Sequence, residues 1–329
     1  MSKVVFIAIA GQKYGQGHLQ RALRMVEALS RSQDVMLVCN QDCSEQLATE
    51  NKLVAHKLNL AQPTAFIEEL QLGAGDILWF DLPDECYYIL SHFVDYKLKI
   101  ISVNMFERED MVRYEDVSIY PSFEKTKKVV QKQPKLVSLS GYDYILVPDE
   151  FFTADPIKSL GSFVVTMGGA DPMGFTKHIL TALVKLKRTD LSFKVVLPKT
   201  MRANEVVNSY LLPKSVEIFD FGELNFSKAL KSASYTIMNG GLTRYECIAA
   251  KTYFIALSIH KAQFDITAMS SKFGYGKNLC IFGADKVDDL VHYLDNLVIN
   301  DERSTLDSIP INLKKRAAHR IFRRAIGVL

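Results

Sequence analysis

Residues 235–246 spell YTIMNGGLTRYE, and this stretch indicates the fold. Its apolar run, Tyr235–Met238, predicts a short buried strand, and the residues that follow it, Cys247–Ala250, predict a helix. Gly240 and Gly241 stand at this strand-to-helix junction, where they let the backbone approach a ligand closely. The first turn of a helix offers unpaired N–H groups and the positive end of the helix dipole, which suits a diphosphate.

The same stretch also has a purely structural interpretation. Thr243 could cap the helix, and Glu246 could close a capping box. In the functional interpretation, Leu242 belongs to the ligand loop, Thr243 offers a hydroxyl donor, and Glu246 accepts hydrogen bonds from a pair of sugar hydroxyls. Local spacing alone favours the structural interpretation. The decision therefore depends on the rest of the chain.

Length and composition predict a two-domain protein of the cytoplasm. A chain of 329 residues can bury a large core. A net charge of +3 does not argue for nucleic acid, and no apolar run approaches the roughly 20 residues that span a bilayer. The N-terminus lacks a signal-peptide cleavage site. The five cysteines form no CxxC pair, which is typical of reduced thiols in the cytoplasm.

Strand and helix patterns alternate along the chain. The first set begins with the strand pattern Val4–Ala10 and the helix pattern His18–Ser30. A second set restarts at Ser162–Met167, after the proline-containing linker Pro148–Leu160. This alternation predicts an α/β protein with doubly wound parallel sheets. We expect two Rossmann-like domains that face each other across a cleft, residues 1–155 and residues 156–329, with a closing C-terminal helix in the second.

Two basic segments raise the question of a membrane-surface contact. Residues 106–140 show no regular pattern, and a strand is expected after them, over Tyr142–Val147. The last helix, expected over Asn312–Ile326, has one apolar side and six basic residues. A solvated surface is the favoured interpretation of both segments, and weak contact with an anionic membrane surface is a minority alternative. The irregular segment contains five lysines: Lys125, Lys127, Lys128, Lys132 and Lys135.

The loop after the first strand contains Gly15, Gly17 and His18. Its GxG resembles a dinucleotide fingerprint, but Gln20 occupies the third glycine position. Cys39 and Asn40, not an acid, stand at the end of the second strand, so we reject nicotinamide binding. What remains is a tight loop that places His18 at a helix start. A neutral imidazole there can act as a general base. The structural alternative, His18 as a helix cap, is equally compatible with the local pattern.

Other polar residues and glycines follow strands whose carboxyl ends should meet at one edge of a sheet. Gln263 could orient a ligand through its amide, or it could belong to the polar surface. Asp171 could cap the helix that follows it. No metal-binding motif is present, so we expect neither a metal nor a cofactor. The remaining predicted cleft residues are Asp81, Gly168 and Gly169.

The order of these motifs resembles a known family of sugar-nucleotide enzymes. The chain is similar to the UDP-sugar hydrolase of pseudaminic acid synthesis and to its spore-coat polysaccharide relatives. These proteins in turn resemble the glycosyltransferase that makes lipid II and share its two-Rossmann (GT-B) fold. The resemblance covers most of the chain. It rests on Gly15–His18 with Arg21, Ser140–Tyr142 with Glu150–Phe151, Val164–Asp171 with Thr176, and Asn239–Glu246.

The resemblance implies a uridine diphosphate in the second domain. Residues Gly240, Gly241, Leu242 and Thr243 match positions that meet the diphosphate, and Glu246 matches the ribose ligand. His18 matches the histidine implicated as base in the hydrolase. The glycosyltransferase relatives also carry Gly–His at this loop, so His18 does not separate the two activities.

The sequence departs from the hydrolase pattern on the sugar side. It has Asp81–Leu82–Pro83 where the hydrolase has Asp–His–Tyr, and Lys261–Ala262–Gln263 where the hydrolase has an acid, Asn and Gln. We therefore expect a UDP-sugar-dependent glycosyltransferase of bacterial surface polysaccharide or glycoconjugate synthesis, with an acceptor hydroxyl as its second substrate. A hydrolase that uses water is the first alternative. A nucleotide-sugar-binding protein without catalysis is the second.

Overall fold

The computed structural model divides the chain into two compact units. Unit 1 comprises Met1–Pro148 together with Asn312–Leu329, and unit 2 comprises Asp149–Ile311. The residues that the structure describes are 2–11, 13–41, 44–45, 47, 55–104, 112–122, 136–152, 157–299, 313 and 315–329. The lysine-rich part of residues 106–140 lies outside them.

Unit 1 is built on a seven-stranded parallel sheet with the order β3-β2-β1-β4-β5-β6-β7. The central strands are buried on both faces, which explains their continuous apolar sequences. In chain order, the strands are β1 (Lys3–Ala8), β2 (Asp34–Cys39), β3 (His56–Lys57), β4 (Ile77–Asp81), β5 (Lys99–Val103), β6 (Val117–Pro121) and β7 (Val137–Gly141).

Helices cover both faces of this sheet. Helix α1 (Gly17–Leu29) buries Leu19, Met25 and Leu29 against one face. A 3₁₀ helix over Asp84–Phe93 and the short helix α2 (Ala65–Glu69) pack on the other.

Unit 2 repeats the same topology with a six-stranded parallel sheet, in the order β10-β9-β8-β11-β12-β13. The third-second-first-fourth order of the early strands is shared by both units and is that of dinucleotide-binding Rossmann sheets. The strands are β8 (Ser159–Thr166), β9 (Ser192–Val196), β10 (Val216–Phe219), β11 (Ala233–Met238), β12 (Tyr253–Ser258) and β13 (Gly276–Ile281). The helices are α3 (Phe175–Lys185), α4 (Ala203–Ser209), α5 (Phe226–Ser232), α6 (Thr243–Ala249), α7 (Lys261–Lys272) and α8 (Val287–Asp295).

The structure corrects the prediction for the end of unit 1. The segment expected to be irregular contributes two strands, β6 and β7, to the sheet. The strand expected over Tyr142–Val147 is absent from these described residues, because Gly141 adopts a φ of 123° and a 3₁₀ turn begins at Tyr142. The chain therefore leaves the sheet at the point where the pattern predicted another strand.

The last helix also differs from its predicted placement. Helix α9 (Ala317–Ile326) packs in the core of unit 1, whereas the sequence-based boundary assigned it to the second domain. Ile321 and Phe322 supply its buried side, and the Phe322 ring stacks on Trp79 of β4. Arg324 pairs with Asp143 at 2.9 Å. Among the helices of the described residues, none combines the length and apolar character needed to cross a bilayer.

Candidate functional site

In each unit, polar residues gather where the first and fourth strands of the sheet end. Parallel sheets of this order bind ligands in the crevice beside the carboxyl ends of these two strands, where the chain direction of the connections reverses. In unit 1 the strands are β1 and β4, which pair so that Ala8 lies opposite Asp81. In unit 2 they are β8 and β11, with Thr166 opposite Met238.

The loop between β1 and α1 is held in a fixed shape. Gly11 and Gly15 exchange two backbone hydrogen bonds of 3.1 and 2.8 Å, and Gly15 has a φ of 72°, which suits glycine. Asn40, after β2, clamps Ala10 through both its amide oxygen and its amide nitrogen. Gly17 begins the helix. Because both ends of the loop are fixed, His18 is held as the second residue of α1.

His18, Asp81 and Arg21 form a compact charged cluster. The Nδ1 atom of His18 lies 2.8 Å from Oδ1 of Asp81. Arg21 donates from Nε to Oδ2 at 2.7 Å and from Nη2 to Oδ1 at 2.6 Å, so it holds the carboxylate from two directions. The arginine Nη2 also lies 3.0 Å from His18 Nδ1. The sequence predicted His18 and Asp81 for this region but gave no role to Arg21.

Asp81 remains a carboxylate in this cluster. Burial by itself raises the pKa of Asp81, which is only 3% exposed, but the charge of Arg21 and the hydrogen bonds from Arg21 and His18 outweigh burial and hold the pKa below its ordinary value. An ionised carboxylate can only accept a hydrogen bond. It therefore favours the His18 tautomer that carries its proton on Nδ1.

This tautomer leaves the Nε2 atom of His18 with a lone pair. The His18 side chain is 17% exposed, whereas Asp81 and Arg21 are buried. An imidazole oriented by a carboxylate at one nitrogen can take a proton at the other, as general bases in enzymes do. The geometry thus supports proton abstraction at His18.

Asn239 links the two glycine loops of unit 2. Its side-chain amide donates to the carbonyl of Met167, at the end of β8, at 2.9 Å, and its Oδ1 accepts from the N–H of Gly241 at 3.1 Å. Gly168 and Gly240 have φ values of 78° and 73°, so both loops need glycine at these points. The sequence included Asn239 in a motif, but its bridging role depends on the pairing of β8 with β11.

Helix α7 closes one side of the Gly240 loop. A Cβ atom on Gly240 would lie 2.7 Å from Oγ1 of Thr267 and 3.4 Å from Cγ of Gln263. The Oε1 atom of Gln263 accepts from the N–H of Ile259 at 2.7 Å, and its backbone N–H donates to His260. Gln263 therefore lies beside the loop, and its amide oxygen holds the start of α7.

The loop between Met238 and α6 presents backbone donors. In the described part of the chain, the N–H groups of Leu242 and Thr243 have no protein acceptor. Thr243 is the first residue of α6, and Glu246 lies one turn further and is buried. The predicted residues are thus contiguous in space.

Asp171 has a structural role. Its two carboxylate oxygens accept from the backbone N–H groups of Phe175 and Thr176 at 2.9 and 2.8 Å, so they cap the start of α3. Gly169 also has a structural contact, because its carbonyl accepts a hydrogen bond from the backbone N–H of Lys199 at 2.9 Å. In the ranges described, no group of three or more His, Cys, Asp or Glu side chains could hold a metal ion.

Because Asp171 caps α3, its replacement by alanine and its replacement by glycine should lower the free energy of unfolding by different amounts. Asp171→Ala should lower the free energy of unfolding by about 1–2 kcal/mol, because two helix-start N–H groups lose their acceptor. Asp171 has a φ of 39°, a conformation that glycine adopts without strain, so Asp171→Gly should cost less. Urea unfolding of both variants measures the difference. Equal stability of the wild type and the alanine variant would contradict the capping role.

The chain was compared with known protein families, curated proteins and solved structures. No protein-family model matches the chain. It is similar to the spore coat polysaccharide biosynthesis protein SpsG of Bacillus subtilis (strain 168), with 24% identity over 265 residues, which covers 78% of this chain and 77% of SpsG.

Solved structures show the same architecture over nearly the full length. MnaA of Staphylococcus aureus, solved with UDP, matches with a TM-score of 0.65 and 14% identity, over 100% of this chain and 98% of MnaA. The spinosyn rhamnosyltransferase SpnG, solved with thymidine diphosphate, matches with a TM-score of 0.63 and 11% identity, over 97% and 96%. The chain thus has the two-Rossmann fold of GT-B glycosyltransferases, which confirms the predicted fold class.

Proposed function

We propose that the protein is an enzyme that transfers the glycosyl group of a UDP-sugar to an acceptor hydroxyl, in the synthesis of a bacterial surface polysaccharide or glycoconjugate. The observation that carries the proposal is the His18–Asp81–Arg21 cluster in unit 1. A buried carboxylate that orients a partly exposed imidazole is an arrangement that general-base catalysis uses, which favours an enzyme over a protein that only binds a nucleotide sugar. Similarity to SpsG supports a role in polysaccharide synthesis.

The glycine loop of unit 2 would hold the nucleotide diphosphate. Its donors are the N–H groups of Leu242 and Thr243, which lack acceptors in the described structure. Solved structures of the same fold contain UDP in one case and thymidine diphosphate in another, which supports a nucleoside diphosphate as the ligand. Fixed N–H donors would stabilise the charge that develops on the diphosphate as the anomeric C–O bond breaks.

His18 would complete the reaction from the acceptor side. Its Nε2 atom would remove the proton of the acceptor hydroxyl while that oxygen forms the new bond to the anomeric carbon. The electron pair of the broken bond stays on the departing UDP. Asp81 would stabilise the protonated imidazole, and Arg21 would keep Asp81 ionised. The same base would also activate water, which is the alternative reaction.

One assay separates these outcomes. Purified protein is incubated with UDP-sugars and TDP-sugars, with and without acceptors extracted from cells, and released nucleotide and free sugar are measured. Nucleotide released only with an acceptor supports transfer, whereas free sugar without an acceptor supports hydrolysis. Binding of UDP without turnover under any condition would make the protein a binding protein. Absence of binding to any nucleoside diphosphate would overturn the proposal.

The assignment of Glu246 to the ribose predicts a selective loss of affinity. Glu246→Ala should weaken UDP binding by about tenfold, because a charged hydrogen-bond acceptor for the ribose hydroxyls is removed. Pyrophosphate, which has no ribose, should bind as it does to the wild type. Calorimetric titration measures both affinities. Unchanged affinity for UDP would remove Glu246 from the site.

Glu205→Ala is the matched control for this experiment. Glu205 also lies in the first turn of a seven-residue helix of unit 2, but it is exposed on α4. Its replacement should leave UDP binding unchanged. A comparable loss of affinity in both variants would point to a general effect of charge.

A further inference from the structure

A buried arginine lies behind the glycine loop of unit 2. Arg244 is 2% exposed, and its Nη1 atom donates to the carbonyls of Gly240 and Gly241 at 2.7 and 2.9 Å. Its Nη2 atom donates to the hydroxyl of Tyr245 at 2.7 Å, and its guanidinium carbon lies 4.2 Å from the centre of the Tyr245 ring. The guanidinium is thus fixed in position by the loop on one side and by an aromatic ring on the other.

These contacts determine the direction of the loop's donors. In a trans peptide the carbonyl and the following N–H point in opposite directions. Because Arg244 binds the carbonyls of Gly240 and Gly241, the N–H groups of Gly241 and Leu242 must point away from it. The Gly241 N–H is held by Asn239, while the Leu242 N–H has no protein acceptor within the described structure. Arg244 therefore keeps one donor of the loop, the Leu242 N–H, directed away from its own guanidinium.

Arg244 has no partner carboxylate among the residues that the structure describes. In the part of the chain that the structure describes, no carboxylate forms an ion pair with Arg244, and its Nε atom has no hydrogen-bond partner. Charged side chains are almost never fully buried unless they are paired, because burial removes their hydration. By contrast, the buried Arg21 pairs with Asp81, and Arg113, whose side chain is 9% exposed, pairs with Glu115. A buried cation without a partner carboxylate in the described residues, beside a backbone N–H that also lacks an acceptor there, favours an anionic ligand.

We propose that Arg244 is the positioning residue of the diphosphate site, so that its charge and its hold on the two carbonyls give the loop its preference for a diphosphate. The inference rests on the proposed function in naming a nucleoside diphosphate as the ligand. Arg244 acts through the backbone and need not touch the phosphates. Replacement of Arg244 should therefore weaken the contribution of the pyrophosphate group to UDP affinity and leave the contribution of the nucleoside unchanged.

The test compares ligands that differ in their phosphates. Affinities for uridine, UDP and pyrophosphate are measured by calorimetry for the wild type, Arg244→Met and Arg244→Lys. Arg244→Met should weaken UDP and pyrophosphate by about 10- to 100-fold while uridine binding is unchanged, because only the phosphate-dependent part is lost. Arg244→Lys keeps the charge but not the fork of two donors, so its loss should be smaller.

Arg188→Met is the matched control. Arg188 also binds backbone carbonyls of unit 2, those of Leu294, Asp295 and Leu297, but it lies at the end of α8. The Arg188→Met substitution should lower the free energy of unfolding without changing the ratio of the UDP and uridine affinities. A merely structural arginine at position 244 would behave in the same way as this control.

Each outcome decides the matter. A folded Arg244→Met protein that keeps the wild-type ratio of UDP to uridine affinity overturns the proposal. If this variant does not fold, Arg244→Lys decides by the same ratio, and wild-type protein must still show pyrophosphate competing with UDP. If wild-type protein binds no nucleoside diphosphate but pyrophosphate raises its Tm more than that of Arg244→Lys, the proposed function fails while the anion site stands.

Discussion

Replacement of His18 by alanine is expected to lower turnover by about 100- to 10,000-fold, the range that removal of a general base produces. The affinity for UDP should change by less than about threefold. The two effects separate because His18 lies in the first turn of α1 in unit 1, whereas the proposed nucleotide donors, Leu242 and Thr243, lie at the start of α6 in unit 2. The measurement is kcat from released UDP together with the Kd for UDP by calorimetry.

His56→Ala provides a close control for this result. His56 forms a histidine–carboxylate pair with Glu69 at 2.8 Å, the same separation as between His18 and Asp81, but on the surface of unit 1. Its removal should leave turnover unchanged. If His18→Ala retains wild-type kcat, His18 is not the base. If it loses UDP affinity and turnover together, it acts in binding.

Asp81→Asn is expected to impair both catalysis and stability. The asparagine amide can donate to Nδ1 of His18, which would move the imidazole proton to Nε2 and remove the base. We expect kcat to fall by about 100-fold or more. The variant also leaves the buried Arg21 without its counter-charge, which should lower the free energy of unfolding by about 3–5 kcal/mol.

The stability effect should depend on pH in a defined direction. Because the pKa of Asp81 is lowered in the folded protein, its contribution is present above the ordinary pKa of 3.8 and is lost as the pH falls through the folded value. The difference in stability between the wild type and Asp81→Asn should therefore be constant near neutral pH and shrink below about pH 4. A difference that persists unchanged in strong acid would contradict the ion-pair explanation.

Glu115→Gln isolates the catalytic part of the effect. Glu115 is a second buried carboxylate of unit 1 and pairs with Arg113, and Tyr87 donates to it as well. Glu115→Gln should lower the free energy of unfolding by an amount similar to that of Asp81→Asn, yet leave kcat per folded molecule unchanged. Equal loss of kcat in both variants would show that destabilisation of unit 1, and not the tautomer of His18, causes the loss.

The sequence predicted the central strands of unit 1 because β1 and β4 are almost continuously apolar. The bounds predicted for the first strand and the first helix, Val4–Ala10 and His18–Ser30, lie within two residues of those of β1 and α1. The strands β6 and β7 were not predicted, because serines interrupt their short apolar runs. Within the sheet, Ser118 and Ser102 accept hydrogen bonds from Asn104, so these polar side chains are satisfied. Such a network leaves no local apolar pattern.

The candidate site was predictable in part for a similar reason. The carboxyl ends of parallel strands share one edge, so His18 and Asp81 could be placed in the same region from their positions after strands. Their 2.8 Å contact could not be predicted, since the residues lie 63 positions apart and the contact depends on the register of β1 with β4. Arg21 and Arg244 gave a weak signal, because arginines in helices are most often exposed.

The docking of α9 on unit 1 has a consequence for the order in which a ribosome-bound chain can fold. Along the sequence, the residues of unit 2 come between the two segments of unit 1. All residues of unit 2 are therefore synthesised before α9. The core of unit 1 therefore closes last, after a complete Rossmann unit has had time to form. Trp79 is the only tryptophan of the chain, and its ring stacks on Phe322 of α9. Tryptophan fluorescence thus reports this final step directly.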